Sequence, residues 1–356
     1  MNLNLKYYPN GKQRPMLPHT VDSTIMSTFR SCPQKAFLTY VEHWKSKNPS
    51  VHLIAGGAFA AGIEAARDAF YVQGKPTPES EGAGMVALLK HYGDFECPPD
   101  SAKSLERMLG ALEFYFAYYP LGADGANPIT LDDGRRGIEF SFAEPIDVRH
   151  PVTGDPILYT GRSDMLAERA GGIYVYDEKT TSSLGASWAK QWEMRSQFSG
   201  YEWAAGRQGI KTAGSIVRGV SILKTKYDTM EVSTYRSKYE LDRFESQLVR
   251  DVKRMVRAWE EGYWDYSLDG GCTEYGGCQL VQVCKSSDPD SWLPAYFTQK
   301  VWDPLARREL TVEEHEAAWG HVRDVARKVP NAGGLQDGAA MQDSFAELLA
   351  AGVVKQ

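Results

Sequence analysis

Two short segments carry the residues with the most chemistry. One is Gly161-Arg162-Ser163-Asp164-Met165-Leu166, the other Ile173-Tyr174-Val175-Tyr176-Asp177-Glu178-Lys179-Thr180-Thr181. Both read as β-strands. Side chains alternate along a strand, so Asp177 and Lys179 share one face and Glu178 points to the other. If the strands are neighbours, Asp164 lies beside Asp177, and two carboxylates and a lysine converge. Hard divalent ions such as Mg²⁺ take oxygen ligands of this kind. A metal between the carboxylates lowers the pKa of bound water and offsets charge growing on a scissile phosphate. A nearby lysine orients that water or stabilises the transition state. Taken alone, Asp-x-Lys on a strand is more often a surface ion pair; the preceding aspartate strand shifts the balance.

Cysteine usage is the second unusual feature. There are five: Cys32, Cys97, Cys272, Cys278 and Cys284. An odd number argues against a disulfide framework. The last three follow a C-x5-C-x5-C spacing among glycines, which lets several thiolates turn toward one point. Free cysteines are also common core residues, but the clustering favours a soft-metal site. Zinc sites usually show closer cysteine pairs, absent from this run, which also lacks a nearby His. Iron–sulfur clusters take four thiolates with looser spacing, and Cys32 or Cys97 could supply the fourth.

Downstream of the lysine, Gln197 and Tyr201 are four residues apart and share a helix face. An amide and a phenol there can hydrogen-bond a backbone or a phosphate. Trp188, Trp192 and Trp203 surround them. They could stack bases, although their helical spacing fits core packing better.

The elements that must position these groups follow from periodicity. Residues 1–20 read as a polar arm. Ser23 is expected to cap a helix to about Val41, bent at Pro33. Gly56-Gly57 is expected to open a second helix through Ile63 and Phe70, followed by helices at 81–92 and 101–118. Strands are expected at 136–148, 157–168 and 172–180, the last two joined by the hairpin signal Ala170-Gly171-Gly172. Short helices at 187–193 and 195–208 precede strands at 214–224 and 229–236. Leu241, Phe244, Leu248, Met255 and Trp259 mark a long amphipathic helix. A final helix is expected at about 312–328. The order implies an α/β fold, a mixed central sheet flanked by helices. The expected organisation is an arm (1–20), a helical N-terminal part (21–130), a sheet core (131–265), a Cys-rich segment with a C-terminal helix (266–330) and a tail (331–356).

Composition sets the outer bounds. The 356 residues are 42% hydrophobic and 24% charged, values of a globular chain rather than a disordered one. Lys plus Arg is 40 against 46 Asp plus Glu, a net charge of −6. That argues against a protein coated in basic charge, but leaves room for a local basic groove. Arg135-Arg136, Lys224 with Lys226, and Arg307-Arg308 are local basic pairs able to hold phosphates, though each singly reads as solvated surface. No stretch approaches the length of a membrane span. The first residues lack a signal-peptide core, so a cytoplasmic location is expected.

Asp164, then Asp177-Glu178-Lys179, then Gln197-x-x-x-Tyr201 together resemble the PD-(D/E)xK nuclease superfamily in its RecB-type branch. With Cys32 in Phe29-Arg30-Ser31-Cys32-Pro33 and the trio Cys272, Cys278 and Cys284, the resemblance extends to iron–sulfur members of that branch: the AddAB nuclease domain and CRISPR-adaptation exonucleases. It covers roughly Ser23 to Pro289. It implies a restriction-endonuclease-like core with a C-terminal segment stapled by a [4Fe-4S] cluster on Cys32, Cys272, Cys278 and Cys284, with Zn²⁺ as the alternative group. Cys97 has no counterpart. It implies a DNA exonuclease in which Asp164 and Asp177 hold Mg²⁺ or Mn²⁺ and Lys179 activates water. Gln197 and Tyr201 would then orient substrate. Exonucleases of the branch carry a metal-binding His on an early helix, where this chain has Ala60. Glu64, one turn on, is the candidate replacement ligand; His52 ranks lower. The implied partners are single-stranded DNA or DNA ends and a helicase or recombination protein, in recombination or repair. A non-catalytic DNA-binding or scaffold subunit is the alternative.

Overall fold

The structure is a computed structural model that describes residues 14–268, 270–273, 277–304 and 308–315. Along the chain run β1 (Thr20–Asp22), α1 (Ser23–Ser31), α2 (Pro33–Ala36), a wider π turn (Phe37–Val41), β2 (Trp44–Ser46) and α3 (Val51–Arg67). Then come α4 (Thr77–Tyr92), α5 (Leu105–Tyr118), β3 (Asn127–Pro128), β4 (Ile138–Arg149), β5 (Pro156–Arg169) and β6 (Gly172–Thr181). α6 (Ala186–Lys190), α7 (Ser196–Arg207), β7 (Thr212–Ile222), β8 (Tyr227–Thr234) and α8 (Lys238–Glu261) follow. The remainder is α9 (Val281–Lys285), α10 (Pro289–Tyr296), β9 (Phe297–Gln299), β10 (Val301–Asp303) and β11 (Arg308–Leu310). The expected C-terminal helix is described only to His315, and the tail 331–356 and the first part of the arm lie outside the described residues.

Two local expectations need correction. Asp22, not Ser23, caps α1: its carboxylate accepts the Ile25 N–H at 2.7 Å, and an Asp at this position satisfies an otherwise orphaned helix donor. Gly56-Gly57 does not open α3. The helix starts at Val51 under Ser50, whose hydroxyl accepts from His52 N. The glycines are carried inside it.

The described residues form two compact units that interleave along the sequence. One holds the segment up to Lys47, Phe142–Gly161 and the residues from Asp242 onward; the other holds Asn48–Ser141 and Arg162–Leu241. β4 and β5 contribute residues to both.

The second unit carries a mixed sheet. The end of β5 pairs antiparallel with β6, from Met165↔Tyr176 to Arg169↔Gly172. β6 runs parallel to β7, with Asp177↔Val217 and Lys179↔Gly219, and β7 runs antiparallel to β8. β3 pairs antiparallel with β5 at Asn127↔Glu168. Helices α3, α4 and α5 bury Phe59, Ile63, Leu88, Met108, Leu112 and Phe116 against Val220 and Ile222 of β7. α3 and α4 cross backbone to backbone. A Cβ on Gly84 would stand 2.6 Å from the Gly62 carbonyl oxygen, so only glycine fits there.

In the first unit, β1 pairs parallel with the start of β5, at Thr20↔Leu158, and β2 pairs with β9. Its early helices pack on its late segments. Arg30 Nε reaches buried Asp251 at 2.6 Å, and Trp264 stacks on Phe37 and meets the edge of Phe29. Leu38, Leu280, Val283, Leu293 and Phe297 form a small core beside them.

The β5–β6 hairpin closes in two residues, Ala170 (φ 51) and Gly171 (φ 81), the pair of left-handed conformations of a type I′ turn. Alanine pays a steric cost there that asparagine largely avoids. Ala170→Asn should therefore stabilise the protein by roughly 0.5–1 kcal/mol. Equilibrium denaturation checks this, and an unchanged or lower midpoint would contradict it.

Candidate active site

The hairpin register puts Asp164 and Asp177 side by side. They stand one position beyond the Met165–Tyr176 pair, so both carboxylates rise on the same face. Asp164 Oδ2 also accepts the Glu178 backbone N–H at 2.7 Å. Lys179, two residues along the same face, ion-pairs with Asp177. Asp177 is buried, whereas Asp164 and Lys179 are partly open. Burial, and then the Asp177 charge beside it, pushes the Asp164 carboxyl well above its usual range. Lys179 is shifted the other way to burial alone: desolvation would lower it, but Asp177 and Asp164 hold its ammonium charged.

Glu178, between them in sequence, faces away into the interior. Arg67 of α3 grips it with two hydrogen bonds, Nη1 to Oε2 at 3.0 Å and Nη2 to Oε1 at 2.5 Å, and Tyr115 of α5 donates to Oε1 at 2.9 Å. Burial would raise this carboxyl, but Arg67 outweighs it and brings Glu178 down to about 2. Arg218, opposite Glu178 on β7, extends the network. It reaches Tyr115 OH at 3.4 Å, Asp124 Oδ2 at 2.6 Å and Glu231 Oε2 at 3.1 Å.

On the α7 side, Gln197 Nε2 donates to Tyr201 OH at 2.8 Å and lies 3.3 Å from Asp177 Oδ1. The pair shares a helix face, and that face addresses Asp177. Trp188, Trp192 and Trp203 are buried, as core packing requires. Glu64 on α3 is partly open and lies 3.8 Å from Arg162 Nη1; Arg162 Nε holds Glu139 at 2.5 Å. The Glu139 charge contributes to raising Asp164. Glu139 and Arg162 have no role in the sequence reading. Glu139 has φ 53, a conformation costly for a side chain of this kind, and such outliers concentrate at functional sites. Sequence offers no signal for that backbone state. Arg67 and Tyr115 were equally silent, because their partner lies 111 and 63 residues away.

Cys32, Cys272, Cys278 and Cys284 all belong to the first unit, whereas Cys97 belongs to the second. The Gly271 backbone lies against the Ser31 carbonyl: a Cβ there would stand 3.1 Å from it. Cys272 O accepts the Cys278 N–H at 2.9 Å. Burial, followed by the Cys278, Cys32 and Cys272 thiols, pushes Cys284 up to about 11. Among the described residues, no three His, Cys, Asp or Glu side chains stand in a metal-holding arrangement. None of the described helices is long and apolar enough to cross a membrane. Of the basic pairs, Arg135 binds Asp133 within its own turn, Lys224 and Lys226 are exposed, and Arg308 pairs with Glu314. Arg307 lies outside the described residues.

A strand hairpin presenting two aspartates and a lysine, backed by helices, is the candidate site of this α/β fold. The chain matches the family model of the PD-(D/E)XK nuclease superfamily over residues 23–285 and belongs to that superfamily. The match is to the superfamily as a whole. Among solved structures, the chain is similar to a putative exonuclease from Eubacterium rectale. The identity is 11%, with 74% of this chain and 85% of that one covered and a TM-score of 0.46. It is also similar to SSO0001, at 15% identity over 56% of this chain and 74% of that one, with a TM-score of 0.25. No curated protein sequence matches the chain.

The Arg67–Glu178 pair fixes a pH signature. Glu178 has a folded pKa below its unfolded value of about 4.5, so its stabilisation is fully present above that pH and is lost as pH falls toward about 2. Glu178→Gln leaves the Arg67 guanidinium buried beside a neutral group. It should cost on the order of 3 kcal/mol at pH 7, and the difference from the parent should shrink below pH of about 4. Denaturant titrations across pH test this; a pH-independent difference would separate the loss from the charge.

Proposed function

We propose that the chain is a divalent-metal-dependent deoxyribonuclease, of exonuclease type, acting on single-stranded DNA or DNA ends. The observation that carries this is the placement of Asp164 beside Asp177 with Lys179 on the same face. A carboxylate whose proton affinity is raised by burial and by a second carboxylate beside it belongs to a donor set that a divalent cation relieves. Asp164 and Asp177, with Glu64 as third ligand, would hold Mg²⁺ or Mn²⁺. The bound ion would supply a water of low pKa and offset charge on the scissile phosphate. Lys179 directs its ammonium at the attacking water or the phosphate oxygen where charge develops. Gln197 keeps the Asp177 carboxylate oriented, and Tyr201, bonded to Gln197, fixes the amide or meets the DNA backbone. Membership of the nuclease superfamily supports DNA as substrate. A helicase or recombination protein is the proposed partner, in recombination or repair.

The same reading gives the first unit a structural [4Fe-4S] cluster on Cys32, Cys272, Cys278 and Cys284. Its support is the influence of the Cys278, Cys32 and Cys272 thiols on Cys284 and the unit the four cysteines share. Metal ligation would favour the thiolate form of each cysteine. Linking Cys32 to Cys272 closes a loop of about 240 residues, for which a covalent link gives on the order of 5 kcal/mol. Zn²⁺ is the alternative occupant. A second functional reading, a non-catalytic DNA-binding or scaffold subunit, is favoured by Ala60 in the position of the family's histidine and by Arg162 beside Glu64.

Cleavage of linear single-stranded DNA with and without Mn²⁺ decides between the two. The parent should degrade DNA only with metal. Asp177→Ala should keep the fold but lose activity by on the order of 10³-fold. Absent cleavage by the parent moves the assignment to the scaffold reading, and metal-independent cleavage overturns the metal-dependent mechanism. For the cluster, protein purified without oxygen should absorb near about 400 nm and contain iron and sulfide. Cys284→Ala should lose that colour and melt at lower temperature together. A colourless, zinc-containing parent would replace the iron–sulfur assignment.

A further inference from the structure

Lys103 lies in the second unit, immediately before the Ser104 cap of α5. It is 5% exposed. Among the described residues, the one polar contact of its ammonium is the Thr180 hydroxyl, at 3.2 Å. An ammonium has three donors, and two are left without a protein acceptor. Burial lowers its pKa, with no carboxylate opposing the shift. The charge also sits at the positive end of a 14-residue helix, where a cation is disfavoured. Each circumstance costs stability. Apolar substitution would remove the cost, yet the position holds a lysine.

Burial alone shifts the ammonium, with no acidic group contributing. Thr180 is partly open and follows Lys179 at the end of β6. The Gly56 backbone of α3 runs beside the Thr180 hydroxyl, where a Cβ would come within 3.9 Å. His52, exposed near the start of α3, feels the Lys103 charge, which together with burial lowers its pKa. A buried ammonium and a hydroxyl beside Gly56, with the His52 imidazole responding to the same charge, are complementary to a tetrahedral oxyanion; the neighbouring Gly57 is covered by the His91 ring. Side-chain alternation turns Thr180 away from the face of Lys179. A phosphate bound at Lys103 is therefore a different one from that at Asp177.

We propose that Lys103, with Thr180 and His52, binds a second, uncleaved phosphate of the DNA strand and so sets the strand's path past the catalytic lysine. This rests on the nuclease reading above. The phosphate supplies the missing acceptors and the counter-charge. The pocket is thus poorly satisfied in the free protein and satisfied in the complex.

The test is fluorescence anisotropy of a labelled single-stranded oligonucleotide with the full chain, without divalent metal, across a salt series. Lys103→Met should weaken binding severalfold and flatten the slope of log affinity against log salt by about 0.7, the share of one phosphate contact on a single strand. Lys103→Arg should retain most of both. The Lys103→Met protein should melt no lower than the parent, because its stem still packs and a buried charge is gone. Equal affinity and slope in parent and Lys103→Met would overturn the phosphate site while leaving the nuclease reading intact. A lower melting temperature in both variants would mark the lysine as structural and overturn it as well. A parent that binds no DNA would remove the nuclease reading and this inference together, a result distinct from either.

Discussion

The bidentate Arg67–Glu178 pair under β6 is the interaction on which the candidate site depends. In a strand the side-chain period is two, so a one-residue slip exchanges every residue between faces. Such a slip here would turn Asp177 and Lys179 to the inner face and present Glu178 instead. Hydrophobic patterning guards weakly against it, because the segment from Asp177 to Thr181 is entirely polar. The guard is electrostatic. Only Glu178 finds a buried guanidinium and a phenol waiting on the inner face. An aspartate in its place would be too short to reach both Arg67 nitrogens with the same fork. Because Arg67 sits three residues after Glu64, the clamp also fixes α3, and with it the Glu64 carboxylate, against the strand that carries Asp177.

That rigidity is what lets the site hold unfavourable electrostatics. Asp164 and Asp177 are neighbours in a half-buried setting, and Asp164 responds by a raised proton affinity. Glu139 adds further negative charge from a strained backbone position. Lys179 and Arg162 offset part of the excess. A fold optimised for stability alone would replace one aspartate with an apolar residue. Retaining both, on strands locked by a two-residue turn and a buried ion pair, is the arrangement expected where charge is stored for a ligand. Lys103 has the opposite sign and the same logic: a buried charge short of partners beside the same strand.

The parts of this arrangement legible in the sequence are those governed by local periodicity. Alternation placed Asp177 with Lys179 and against Glu178. The four-residue spacing put Gln197 and Tyr201 on one face, and Ala170-Gly171 announced the turn that aligns Asp164 with Asp177. The illegible parts depend on partners remote in sequence or on backbone states that residue type does not reveal. Arg67 reads as the end of an amphipathic helix, and Glu178 as the spacer of its motif. Glu139 reads as an ordinary strand residue, although its φ is positive. The glycines of α3 misled for a related reason. A Gly pair suggests a helix boundary, but here Gly62 and Gly84 show that these helices use glycine for close approach to neighbours.

The cysteines obey a different constraint. In the first unit, Arg30 meets Asp251 and Trp264 packs on Phe29 and Phe37, so the segments flanking Cys32 and the late trio are already held by ordinary packing. A cross-link among the thiols therefore does not have to create this juxtaposition. The proposed cluster would act on the unfolded chain, whose freedom it would restrict, and on the thiols themselves. Packing alone leaves Cys284 protonated, because burial of its sulfur, and then the Cys278, Cys32 and Cys272 thiols, raises its pKa. Apolar packing would have filled that space with a methyl-bearing side chain at no electrostatic cost. In the proposed cluster, a metal group accepting the Cys284 sulfur as thiolate would reverse that shift.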